Sequence, residues 1–129
     1  MNGGRNSVKR INYNKMKKMV RDYIFKMDVA YDEYVYLIDI FYNHPFEAES
    51  MEDFDIKKAL EFIRIWDIIK NELKETDKNL VLAFEVCRNY KDMLDGFEGS
   101  YKSEGSLRVM VYNARKKIKE IYDRKYGNN

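Results

Sequence analysis

Apolar residues recur at steps of three and four along most of this chain. From 15 to 42 they are Met16, Met19, Val20, Tyr23, Met27, Ala30, Tyr31, Tyr34, Leu37, Ile38 and Phe41, the spacing that lines side chains along one face of an α-helix. A long amphipathic helix is predicted there. It should stop close to His44, because Pro45 disfavours helical backbone in the residue before it. Residues 46–55 read as an acidic connection. A second helix is expected over about 53–73, with Ile56, Leu60, Ile63, Trp66, Ile69 and Leu73 inward and Phe62, Ile65 and Ile68 widening the stripe. Thr76 or Asp77 is placed to cap a third helix ending near Asn89, with Leu80, Ala83, Phe84 and Cys87 in register. Residues 90–94 suit a short fourth helix ended by Gly96. The final helix is expected over about 104–125, capped by Ser103 and held inward by Leu107, Met110, Val111, Ala114, Ile118 and Ile121. No period-two run is long enough for a sheet, so the predicted fold is all-α with about five helices. The expected organisation is one domain, a helical pair over 15–75 followed by a helix-turn-helix-like unit over 76–125. Order is expected from about Asn14, the first dozen residues being polar and loose.

Composition narrows the function. The 129 residues hold 24 Lys plus Arg, 22 Asp plus Glu, one His, one Cys and one Pro, with 45% apolar and 15% aromatic content. That is too hydrophobic for a disordered chain and suits a single core. A lone Cys cannot form an internal disulfide. No run is long or apolar enough for a membrane span and nothing resembles a signal peptide, so the expectation is a cytoplasmic protein with no membrane partner. One His and one Cys do not make a zinc cage, and the glycines form neither a P-loop nor a dinucleotide fingerprint. No catalytic site, metal site or cofactor is expected, and the chain reads as a non-enzyme.

The net charge of +2 is a cancellation. Residues 1–26 carry 8 basic and 1 acidic groups, 27–62 carry 2 and 10, 63–101 carry 6 and 8, and 102–129 carry 8 and 3, giving +7, −8, −2 and +5. Sign asymmetry of this kind prompts a nucleic-acid hypothesis. The last basic block coincides with the one segment richer in pattern than a generic helix, SEGSLRVMVYNARKKIKE over 103–120. A capped turn there delivers a helix N-terminus, with its cluster of backbone N–H groups, toward phosphate or base edges. Leu107, Val111, Ala114 and Ile118 hold the helix to its domain while Arg108, Tyr112 and Arg115 face outward.

This segment resembles the recognition helix of sigma-factor region 4, whose usual form is close to S-E-G-T-V-K-S-R-L-H-R-A-R-K-K-L. Ser106 stands for Thr, Leu107 for Val, Arg108 for Lys, Val111 for Leu and Tyr112 for His, and the run from Ala114 to Lys117 is matched outright. Upstream, residues 77–88 are similar to the supporting helix, and Tyr90 to Leu94 resembles the family's Y-x-E-I-A. Three departures stand out. Leu94 replaces a small Ala where the helices cross, the turn to Ser103 is about three residues longer than usual, and Met110 and Asn113 replace frequently basic positions. The whole chain looks like the small regulators of late transcription of phages and prophages of low-GC Gram-positive bacteria. The resemblance implies a double-stranded DNA partner, with RNA polymerase or another host protein as a further partner and homo-oligomerisation possible.

On that reading Glu104, Ser106, Arg108, Tyr112 and Arg115 lie nearest bases and phosphates, and Lys116, Lys119, Lys17, Lys18 and Arg21 contact the backbone. Lys9, Arg10 and Lys15 belong to the same N-terminal basic cluster. The tyrosines of the first helix, Tyr13, Tyr23, Tyr31, Tyr34, Tyr36 and Tyr42, read as core and interface residues, His44 as a loop residue, Cys87 as a small buried one, and Glu47, Glu49, Glu52, Asp53 and Asp55 as a solubilising tract. Two alternatives stay open. One is a helical protein-interaction module that uses the aromatic face of the first helix and the acidic tract. The other is a small terminase DNA-binding subunit.

Overall fold

The structure, a computed structural model, describes residues 11–127. They form α1 (Tyr13–Asn43), α2 (Pro45–Ala48), α3 (Ile56–Asn71), α4 (Glu75–Cys87), α5 (Tyr90–Gly96) and α6 (Glu104–Tyr126), with no strand among them. The fold is all-α. The sixth helix is α2, one turn inside the segment expected to be a plain acidic connection. His44 leaves helical geometry at φ −135°, and Pro45 then starts a new turn, where its missing N–H has no partner to lose.

Caps explain most boundaries. Asp55 accepts from the Lys58 backbone N–H at 3.1 Å, so α3 begins at Ile56 and not at Asp53. Asn89 accepts from the Asp92 N–H at 2.8 Å and starts α5. Ser103 accepts from the Ser106 N–H at 3.1 Å and starts α6 where the sequence placed it. The expected cap of α4 is corrected: that helix starts at Glu75, ahead of Thr76 and Asp77, and Asp77 is buried. Arg88 closes α4 in the left-handed region at φ 67°.

The chain divides into two compact units, and α1 and α6 each contribute to both. The first joins residues 11–23 to Lys74–Lys116. Its core is Ile11, Met16, Leu80, Ala83, Cys87, Met93, Leu107 and Val111. Ile11 is buried, so order begins earlier than Asn14. Two acceptors serve the open N–H groups at the start of α1: Asn12 takes the Lys15 N–H and Glu98 takes the Tyr13 N–H, both at 2.8 Å. Glu98 holds a left-handed backbone (φ 51°) ahead of Gly99 (φ 88°), so the long turn before α6 carries a cap for a helix that starts 85 residues earlier. At Gly96 a Cβ would lie 2.5 Å from Met16 Sδ. The turn before α6 is thus a socket for the start of α1.

The second unit joins Ile24–Leu73 to residues 117–127. Ala59, Trp66, Ile68 and Ile69 are its buried apolar residues, so α3 is apolar on two sides, as its widened stripe predicted. Trp66 Nε1 donates to Asp28 at 2.8 Å, Lys70 Nζ to the same carboxylate at 3.0 Å, and the Tyr31 hydroxyl to Asp67 at 3.0 Å. Burial opposes ionisation of Asp28, but the Trp66 and Lys70 hydrogen bonds and the Lys70 charge outweigh it and hold the carboxyl below its usual range. Tyr34 packs on Phe62. The tyrosines of α1 divide: Tyr23, Tyr31 and Tyr34 are half-buried, whereas Tyr13, Tyr36 and Tyr42 are exposed and lie outside the core. Phe41, expected on the inner stripe, is exposed as well. No described helix is long and apolar enough to cross a membrane.

Candidate nucleic-acid interface

In the first unit, Leu107, Val111 and Ala114 have no exposed surface, and together they fix the roll of α6 about its axis. At 3.6 residues per turn this turns Arg108, Val109, Tyr112, Asn113, Arg115 and Lys116 outward, and all six are exposed. Ser106 is half-buried. Its hydroxyl donates to the Ser103 carbonyl at 3.1 Å, so this side chain belongs to the capping turn and not to the open face. Glu104 is exposed in the first turn of α6, where the helix dipole favours a carboxylate. An acceptor there suits an amino group on a cytosine edge and repels phosphate.

The two arginines are held by a stack that sequence reading did not find. Arg108 Cζ lies 4.8 Å from the centroid of the Tyr90 ring, Tyr90 lies 4.9 Å from Phe84, and Arg115 Cζ lies 5.1 Å from Phe84. Arg115 Nη2 also meets Glu85 at 3.2 Å, and the other oxygen of that carboxylate meets Arg88 at 3.4 Å. A guanidinium placed over a ring face can still donate from its N–H edges, and Arg115 already gives one of these donors to Glu85. A partial signal for Tyr90 existed in its match to Y-x-E-I-A. None existed for Phe84 or Glu85, which lie some thirty residues from Arg115 on another helix.

The remaining predicted phosphate contacts are exposed but not all idle. Lys18 pairs with Asp22 at 2.8 Å and Lys119 with Asp123 at 3.0 Å. Lys17 sits 5.6 Å from the Tyr13 ring centroid. Asp22 lies below its usual carboxylate range because Lys18 donates to it, with the Lys18 and Arg21 charges adding. Exposed pairs like these are weak and screened by salt. Arg21, Lys15 and Lys116 are exposed. Lys9 and Arg10 lie outside the described residues. Lys119 belongs to the second unit, and Arg108, Arg115, Lys116, Lys17, Lys18 and Arg21 to the first.

Cys87 is buried, and burial, with the Asp92 charge, pushes its thiol up to about 11, which leaves it a poor nucleophile. His44 is exposed, 3.7 Å from Asp39. Glu72 is paired with Lys125, Glu75 with Lys78, and Asp92 with the capping Asn89. Among the described residues no group of three His, Cys, Asp or Glu could hold a metal ion.

Sorting by unit redistributes the charge. Among described residues the first unit carries 12 basic against 8 acidic side chains, or +4, and the second 9 against 14, or −5. The chain matches no protein family, no curated protein and no solved structure.

Proposed function

We propose that this chain is a non-enzymatic, DNA-binding transcription regulator that reads the major groove with the first half of α6. The observation that carries the reading is the division of that helix. Leu107, Val111 and Ala114 are fully buried behind it, and in front lies an exposed surface with Arg108, Tyr112, Arg115 and Lys116, in the unit with net positive charge. The capped start of α6 presents backbone N–H groups at one end of the same surface. Arg108, over the Tyr90 ring, and Arg115, over the Phe84 ring, act as donors to guanine edges or phosphates. Lys116, Lys17, Lys18 and Arg21 supply sequence-independent phosphate contacts, each adding to the salt dependence of binding.

The test starts from selection on a random-sequence duplex library, followed by mobility shift with the recovered sites. Binding is expected to fall log-linearly with salt concentration. The double change Arg108→Ala with Arg115→Ala should weaken it at least tenfold. Unchanged binding by the double variant, its helicity intact by circular dichroism, refutes the assignment of α6.

A further inference from the structure

Apolar side chains stand exposed on the outer side of α1 within the second unit. Phe25 is 71% exposed, Val29 54% and Tyr36 64%. Their spacing of four and seven residues puts them on one stripe about 16 Å long at 1.5 Å per residue. The opposite side of this stretch is the one that packs: Tyr31 reaches Asp67 and Tyr34 lies on Phe62. Large apolar residues grouped along an exposed face mark an interaction surface more often than chance exposure does.

The stripe has a definite pattern. Phe25, Val29 and Tyr36 alternate with Asp32 and Asp39 at steps of four and three, so one face of the helix carries apolar side chains interleaved with carboxylates. Its charge has one sign. Asp32, Glu33 and Asp39 are exposed on or beside this face, and across 24–43 Lys26 is the one basic residue against four acidic ones. Two copies meeting through this face would bring carboxylates against carboxylates, which is destabilising. The same charges favour a partner with lysines or arginines flanking its apolar positions.

We propose that this face docks a basic amphipathic helix of another protein. The apolar side of that helix lies on Phe25, Val29 and Tyr36, and its cations lie against Asp32, Glu33 and Asp39. The partner class follows from spacing for the helix and from charge for its basic rim, and neither depends on DNA binding by the first unit.

The test uses the full chain and three fluorescent peptides of equal length and apolar content. One has leucines at heptad spacing flanked by lysines, the second has glutamates in place of the lysines, and the third has the lysine composition in scrambled order. By anisotropy the patterned lysine peptide should bind at least tenfold more tightly than the other two. Phe25→Ser with Tyr36→Ser should abolish that preference, and both residues are exposed enough for the fold to survive. Asp32→Asn with Asp39→Asn should weaken binding several-fold and flatten its salt dependence. Equal binding of the scrambled peptide, no binding at all, or binding unaffected by the serine changes overturns the proposal. So does concentration-dependent dimerisation in sedimentation that the serine changes remove, since the occupant would then be a second copy. Duplex-DNA binding by the same variants should stay unchanged, which separates failure here from failure of the DNA reading.

Discussion

Replacing Gly96 by alanine tests whether the turn before α6 is a socket for the start of α1. Gly96 ends α5 in helical backbone, so alanine fits the chain locally, and by propensity alone it would stabilise by up to about 1 kcal/mol. The obstacle is steric. The added Cβ would lie 2.5 Å from Met16 Sδ, 3.1 Å from Met16 Cβ and 3.2 Å from Met16 Cε. The thioether end can swing aside, but Met16 is itself buried in the core and its Cβ moves only with α1. Overpacking of this kind costs about 1 to 3 kcal/mol; set against the propensity gain, Gly96→Ala should destabilise by up to about 2 kcal/mol. Met16→Ala should cost about 2 to 5 kcal/mol as a core truncation. The informative quantity is the coupling: in the Met16→Ala background, Gly96→Ala should cost much less, because Sδ and Cε are gone and only the Cβ at 3.1 Å remains. Urea denaturation followed at 222 nm measures all four corners of the cycle, with midpoint shifts of about 0.5 to 1 M for 1 to 2 kcal/mol at an m-value near 2 kcal/mol/M. An equal cost of Gly96→Ala in both backgrounds would mean that the two residues do not meet, and the socket would be refuted.

Three further outcomes are expected. Leu107→Ala, at a side chain with no exposed surface, should cost about 2 to 5 kcal/mol of stability in the same urea assay. Asp28 is held below the ordinary carboxyl value of 3.8 in the fold; its contribution is therefore full above that value and lost as pH falls through the lower folded one. Stability curves of the wild type should decline below about pH 4, and Asp28→Asn should be less stable at neutral pH with a shallower decline. Cys87, buried with its thiol pushed up to about 11, should resist a thiol reagent at neutral pH in the native chain and react fully once the chain is unfolded in urea.

Legible in the sequence was most of what a few neighbouring residues govern, the one-turn α2 and the start of α4 excepted. The α-helical period places α1, α3 and α6 to within a few residues, because apolar spacing acts over one or two turns. Ser103 caps α6, and Leu107, Val111 and Ala114 are buried behind it as their spacing required. Asp77 marks the limit of that reasoning. It has a capping residue's composition, yet it is buried inside the first turn of α4. Tertiary structure alone decided the contacts between residues far apart in the chain. Glu98 takes the N–H of Tyr13, Gly96 admits Met16, and Glu85 holds Arg115. It also decided how charge is grouped: the linear run of +7, −8, −2 and +5 becomes a basic unit and an acidic one, because packing joins the start of α1 to the segment that carries α4, α5 and the first half of α6. No local pattern specifies such pairings. They depend on which apolar faces exclude water together, a property of the whole chain and not of any window along it.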